Sequence, residues 1–352
     1  MVLFSKTVLA TIFPALLCNM AVAQSGGWPT RYDFITHGVP VEQAELEELL
    51  SRNLAIAGVS IGAAQMGYVG DCGKSPARFI EFDALFGFLV QGTCRFDGST
   101  VCSRTGQSSD EECVEVRRIG ELPLLFGEFT APDEEVDLPE DMRDAPAMVF
   151  GIVEGDAEQL AAASGSIVLG PVSLTFPEQP EFTFSYADGF PVTISYISAD
   201  FSMEGRSALT IQMAGWPDPM LLGHVPDPSI EPESASLVAD VQEWGDEYIN
   251  RPLGTNVMGM DYKREMAEVS TVSTENAACV QVTELITVDS GDEKIEISPK
   301  STLYMRQYCI APGSGAVALI SYSVSDQMLD VAPNAFRLNA ASVMDSVRFS
   351  LP

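Results

Sequence analysis

Few residues in this chain have the types and spacing that chemistry asks for. Gly58-Val59-Ser60-Ile61-Gly62 matches G-x-S-x-G, the nucleophile elbow of serine hydrolases. That motif lifts a serine hydroxyl on a strand–turn–helix and needs an acid and a histidine after it. The chain has two histidines, and His37 precedes the serine, so His224 would have to be the base. It sits in Gly223-His224-Val225-Pro226-Asp227, a loop-like setting. The same five residues around Ser60 also fit G-x-x-x-G, a close-packing pattern. Packing is the preferred reading, and a secreted hydrolase using Ser60 and His224 is the alternative.

Metal and phosphate chemistry find less support. There is no H-E-x-x-H and no histidine pair at helical spacing. Calcium would use oxygen ligands, which Asp97 with Asp110, Glu111 and Glu112, or Asp289 with Asp292 and Glu293, could gather. Neither set has the spaced carboxylates of an EF-hand loop, so solvated acidic turns are preferred and a calcium-stabilised surface protein is a third reading. Gly313-Ser314-Gly315 lacks the lysine and following helix of a phosphate loop and reads as a hairpin turn. Trp28, Trp216 and Trp244 are read as core. No catalytic, cofactor or metal residue is assigned.

Charge narrows the partners. The chain carries 50 acidic and 19 basic side chains, a formal charge of −31. Nucleic acid and anionic lipid are bound chiefly through Lys and Arg, so neither is an expected partner. Residues 1–23 read as an export signal: Lys6, an apolar core over residues 7–17, then Ala21-Val22-Ala23 as the cleavage site. The mature chain would begin at Gln24, in the periplasm of a Gram-negative bacterium or outside the cell, with no membrane attachment after cleavage. Cys18 lies in the leader, where Leu17 disfavours lipidation.

Six cysteines remain: Cys72, Cys94, Cys102, Cys113, Cys279 and Cys309. An even number in an exported chain argues for disulfides, with connectivity open. A hairpin with the loop Asp97-Gly98-Ser99 sets Cys94 opposite Cys102, leaving Cys72 with Cys113; a bare Asp-Gly turn sets Cys94 against Val101 instead. Cys279 and Cys309 centre a second hairpin near Lys294 and would face each other.

The elements that must hold these residues follow from periodicity. Residues 41–54 have helical apolar spacing, and residues 54–70 are uncharged and glycine-containing, a buried strand or packed helix. Residues 131–146 are acidic and proline-containing and read as a linker. Asp156 with Gln159 resembles a capping box. Four strand-like runs then form a meander at residues 166–176, 181–186, 191–197 and 208–213, before a helix at 236–249. The expected class is α+β, mainly antiparallel sheet with a few packing helices. A smaller disulfide-stapled domain (24–130) precedes a sandwich domain (147–352).

The order from Glu181 to Phe349 resembles the PsbP-like α/β/α sandwich. The similarity rests on Gly189-Phe190-Pro191-Val192-Thr193-Ile194, on Ala318-Leu319-Ile320-Ser321-Tyr322, and on a helix from Phe336 ending in Asp345-Ser346-Val347-Arg348-Phe349. It implies an exported, non-enzymatic module that binds or helps assemble other proteins, here with an unidentified protein partner. The cysteine-containing half has no counterpart in that family.

Overall fold

The computed structural model describes residues 30–61, 64–83, 86–106, 110–119, 125–129, 147–189, 192–198, 207–214, 234–250, 252–253, 261–274, 277–289, 301–311, 316–325 and 334–350. The leader, the acidic linker at 131–146, His224, Trp28 and Trp216 lie outside these residues. Helix α1 (Arg31–His37) opens on a capping box in which Thr30 and Asp33 satisfy each other's backbone N–H. Strand β1 (Gly38–Pro40) leads into α2 (Gln43–Arg52), the amphipathic helix that the sequence pattern announces.

Eight strands then follow: β2 (Leu54–Ile61), β3 (Ala64–Asp71), β4 (Ala77–Asp83), β5 (Phe86–Asp97), β6 (Thr100–Thr105), β7 (Glu112–Ile119), β8 (Leu125–Phe129) and β9 (Met148–Val153). Each pairs antiparallel with the next, and β9 returns to β2 with Leu54 opposite Val153. The result is a closed eight-stranded meander barrel with β1 appended to β7. Closure leaves no free edge among these eight strands.

This corrects the expected fold class. The chain is mostly β, and its first half is a barrel rather than a small unit dependent on disulfides. The sequence hid it for two reasons. Outward residues such as Leu54, Ile56, Val69 and Ile80 are buried as well, since they belong to the core shared with the second half, so the strands lack a clean in–out alternation. Closure also depends on Leu54 meeting Val153, a pairing no local pattern encodes. Strand β9 lies beyond the expected linker at 131–146, yet it pairs with β2 and β8 in the barrel.

The second half starts with α3 (Ala157–Ala161), whose N-cap Asp156 accepts from Gln159 N as the sequence suggests. Strands β10 (Ser166–Leu169) and β11 (Val172–Thr175) form a hairpin in what looked like one strand; Gly170 turns it at φ +54°. A seven-stranded antiparallel sheet follows. Its strands are β12 (Phe182–Gly189), β13 (Val192–Ser198), β14 (Ser207–Ala214), β15 (Asp261–Thr274), β16 (Ala277–Asp289), β17 (Ser301–Ile310) and β18 (Val317–Ser325), in the order 12-13-14-18-17-16-15. Helix α4 (Ser234–Asn250) precedes β15, α5 (Asn334–Ser346) follows β18, and β19 (Arg348–Phe349) joins β11.

The two long helices lie on opposite faces of this sheet. Val241 of α4 meets Ala278, Val280, Tyr308 and Ile310. Phe336, Ala340 and Val343 of α5 share a core with Cys279, Cys309, Ala318 and Ile320, the alternate residues of the same strands. That second core continues through α3 to Leu54, Ile56, Val69 and Ile80 on the barrel's outer wall, so barrel and sheet share apolar burial. Tyr196 donates to Leu160 O at 2.9 Å within it, and burial raises that phenol well above its ordinary pKa.

The cysteines join as Cys72–Cys94, Cys102–Cys113 and Cys279–Cys309. The last agrees with the expected pair, and every partner along β16 and β17 follows that register. The pairs Cys94–Cys102 and Cys72–Cys113 are corrected. Asp97 faces Thr100 across a two-residue Gly98-Ser99 loop, with Gly98 at φ +59°, so Cys94 falls opposite Ser103 and Cys102 opposite Arg95. Neighbouring residues point to opposite faces, which keeps Cys94 and Cys102 apart and leaves Cys102 directly across from Cys113.

Candidate functional site

Ser60 lies in β2 opposite Gln65, and the next element is the antiparallel strand β3. A nucleophile elbow requires a helix after the serine; here the glycines at 58 and 67 face each other across a hairpin. His37 is exposed at the C-terminal end of α1, edge-on to the Tyr32 ring.

Of the acidic groups weighed for calcium, Asp97 and Glu111 meet an arginine, while Asp292 and Glu293 lie outside the described residues. The Arg95 guanidinium reaches Glu111 at 2.8 and 3.1 Å and Asp97 at 3.2 Å. The hydrogen bond from Arg95 holds Glu111 below the usual carboxylate range, and the same bond raises Arg95. Glu111 also lies close to the sulfurs of Cys102 and Cys113, but these are bonded to each other and offer no thiolate. Strands β17 and β18 are consecutive and antiparallel, and Gly313-Ser314-Gly315, between them in sequence, lies outside the described residues.

Two arrangements arise that the sequence did not flag. The first is the plugged end of the barrel. Val41, Leu46, Val116 and Leu125 form one buried cluster with Leu49, Phe96, Val101, Phe150 and Ile152. Strands β5 and β9 lie on opposite arcs of the ring, so Phe96 and Phe150 can share a cluster only inside the lumen. Leu46 and Leu49 of α2 therefore stopper that end. The helix is pinned at the rim by Glu45–Arg118 at 2.6 Å and by Gln43 Oε1 accepting from Gly98 N at 3.1 Å. At its other end a Cβ on Gly73 would lie 1.9 Å from Ser51 O, so only glycine admits that approach.

The second is a charged cluster under the C-terminal end of α4. Glu284 is fully buried, its Oε2 is 2.8 Å from Arg264 Nε, and its Oε1 accepts from Tyr248 OH at 3.0 Å and pairs with Arg306. Arg306 also donates to Tyr248 OH at 2.7 Å and lies 4.2 Å from the Tyr304 ring centroid. Arg264 donates to Ile249 O, capping the last turn of α4. Burial lowers the Arg306 pKa, opposed by Tyr248, and burial raises Tyr304. With every Glu284 oxygen engaged, the cluster works as an anchor that fastens helix to sheet. Its members come from α4, β15, β16 and β17, and no spacing in the sequence links them.

Polar contacts also lock the two halves together. Lys74 in the β3–β4 turn reaches Asp71 at 2.9 Å and Asp156 at 3.1 Å, and Arg78 pairs with Glu158 of α3. Burial would raise Asp156, but the Gln159 N–H and Lys74 outweigh it and keep the carboxyl below its ordinary range.

No family model matches the chain, and no curated protein matches it in sequence.

Proposed function

We propose that the protein is an exported, non-enzymatic binding or assembly module for another protein, resident in the periplasm of a Gram-negative bacterium. The observation that carries this reading is the closed barrel joined through one apolar core to a second sheet. Rigid β walls of this kind hold loops and rims in fixed positions for recognition. Three disulfides in the folded chain are typical of exported proteins, and among the described residues no helix is long and apolar enough to cross a membrane. The resemblance of the second half to PsbP-like domains points the same way. The acidic charge of −31 favours a partner with a basic surface over nucleic acid.

The experiment is affinity capture with the mature chain from its native envelope fraction, beside the Ser60→Ala and His224→Ala variants. One partner retained by all three, in a salt-sensitive manner, is the expected result. Labelling by a fluorophosphonate probe that disappears in Ser60→Ala would overturn the proposal in favour of a serine hydrolase.

A further inference from the structure

Three buried hydroxyls on the α5 face of the seven-stranded sheet have no hydrogen-bond partner among the described residues: Ser198 Oγ, Ser207 Oγ and Tyr322 OH, in residues 1%, 0% and 3% exposed. They are neighbours in the sheet. Ile197 faces Ala208, so the register sets Ser198 opposite Ser207, while Ser207 faces Val324 and Leu209 faces Tyr322. Phe182 lies across from Ser198 on the other side. The Phe336 ring of α5 contacts both Phe182, at 5.1 Å, and Tyr322, at 5.7 Å between centroids. Strands β12 and β18 are separated by β13 and β14, so a ring touching both lies over the strands that carry the two serines.

Hydroxyls on this same strand pair do bond when nothing intervenes: Ser195 and Thr210, on the other face, are 3.1 Å apart. A buried hydroxyl left unpaired costs about 1–3 kcal/mol, and native proteins seldom leave such groups unsatisfied. Three on one face of three neighbouring strands point to a guest. We propose that Ser198, Ser207 and Tyr322 form a binding site for one small uncharged molecule bearing two or more hydroxyl groups. Its oxygens bond the three hydroxyls, and its carbon face lies against Phe182 and Phe336. The groups that define the site, three hydroxyls and the rings of Phe182 and Phe336, carry no charge, and burying an unpaired ion costs far more than burying a hydroxyl, so the guest is neutral. The site is independent of the protein-partner reading and survives its failure.

The test uses glycerol as the probe, n-propanol and glycolate as controls, and the full mature chain. Native mass spectrometry first records any retained guest. Thermal unfolding is then followed against probe concentration for the wild type, for Ser198→Ala/Ser207→Ala and for Tyr322→Phe. The expected result is a saturable rise in Tm with glycerol, absent with n-propanol and glycolate, and lost or weakened at least tenfold in both variants. An unsaturable rise shared by all chains is a solvent effect and overturns the proposal. So does an alanine variant as stable as the wild type or more so, since the hydroxyls would then be doing nothing. A destabilised variant with no mass excess and no saturable shift assigns the place to water alone, and equally overturns it. Should the double variant fail to fold, Tyr322→Phe removes one oxygen only and decides the question by the same readouts.

Discussion

Replacing Glu284 by glutamine tests whether the charged cluster anchors α4. The side chain keeps its shape, and one oxygen can still accept, but the charge facing Arg264 and Arg306 is gone. The Glu284 side chain is fully buried, and those of Arg264 and Arg306 are 11% and 20% exposed, so solvent screens the loss poorly. Removing one partner of a buried pair typically costs about 3–5 kcal/mol, because the remaining charge stays desolvated. We take about 3 kcal/mol, since the part-exposed Arg306 recovers some hydration. In a chain with two sheet systems a single unfolding free energy is ill-defined, so the assay is native-state hydrogen exchange. Amides of α4 around Val241 and Tyr248 should exchange about a hundredfold faster in Glu284→Gln, while amides of β2 and β9 in the barrel hardly change. The double variant Glu284→Gln/Arg306→Gln should lose less than the sum of the single losses, with a coupling of about 1–3 kcal/mol. Protection of α4 within a factor of two of wild type, or equal acceleration throughout the barrel, would refute the anchor.

The other predictions concern a pH dependence, the covalent frame and a packing contact. Burial raises Glu128 to about 7 despite Arg31 Nε at 2.9 Å. The folded state therefore holds a proton that the unfolded chain releases above its ordinary 4.5. That contribution is fully present below pH 4.5 and is lost as pH rises through 7, on the order of 3 kcal/mol in all. Glu128→Gln should flatten the stability profile between pH 5 and 8, and an unchanged slope would count against this cause. Non-reducing peptide mapping should recover Cys72–Cys94 and Cys102–Cys113; a Cys94–Cys102 peptide would contradict the barrel register. Cys279 and Cys309 are separated by 30 residues, and loop-closure entropy gives about 3–4 kcal/mol for such a crosslink. Cys279→Ala/Cys309→Ala should lower urea resistance accordingly, whereas an unaltered midpoint would show that the bond is dispensable. At Gly245 a Cβ would lie 2.8 Å from Val269 Cγ1 and 2.9 Å from Val280 Cγ2. Overpacking of about 1–3 kcal/mol should outweigh the roughly 1 kcal/mol of helix propensity that alanine adds. A more stable Gly245→Ala protein would reverse that order.

Local order is well written in this chain. The apolar spacing of residues 41–54 marked α2, Asp156 and Gln159 marked the start of α3, and residues 236–249 marked α4 almost to its ends. The Cys279–Cys309 pair was legible because two long strands share one register and the residue sum fixes their facing positions. Each of these signals lies within one element or one hairpin.

What the tertiary structure decided depends on distant residues meeting. Leu54 opposite Val153 closes the barrel, and burial of successive residues such as Leu54 with Ala55 and Phe79 with Ile80 conceals it, since no clean alternation survives. The disulfides near the first hairpin turned on a single residue: a Gly98-Ser99 loop rather than a three-residue one shifts the register and moves Cys102 from Cys94 to Cys113. A pleated strand reverses its faces at every residue, so an error of one exchanges partners completely. The Glu284 cluster and the Ser198–Ser207–Tyr322 group each draw from at least three elements. Sequence supplied their residues; only the stacking of helix on sheet determined which charges and hydroxyls would be buried together.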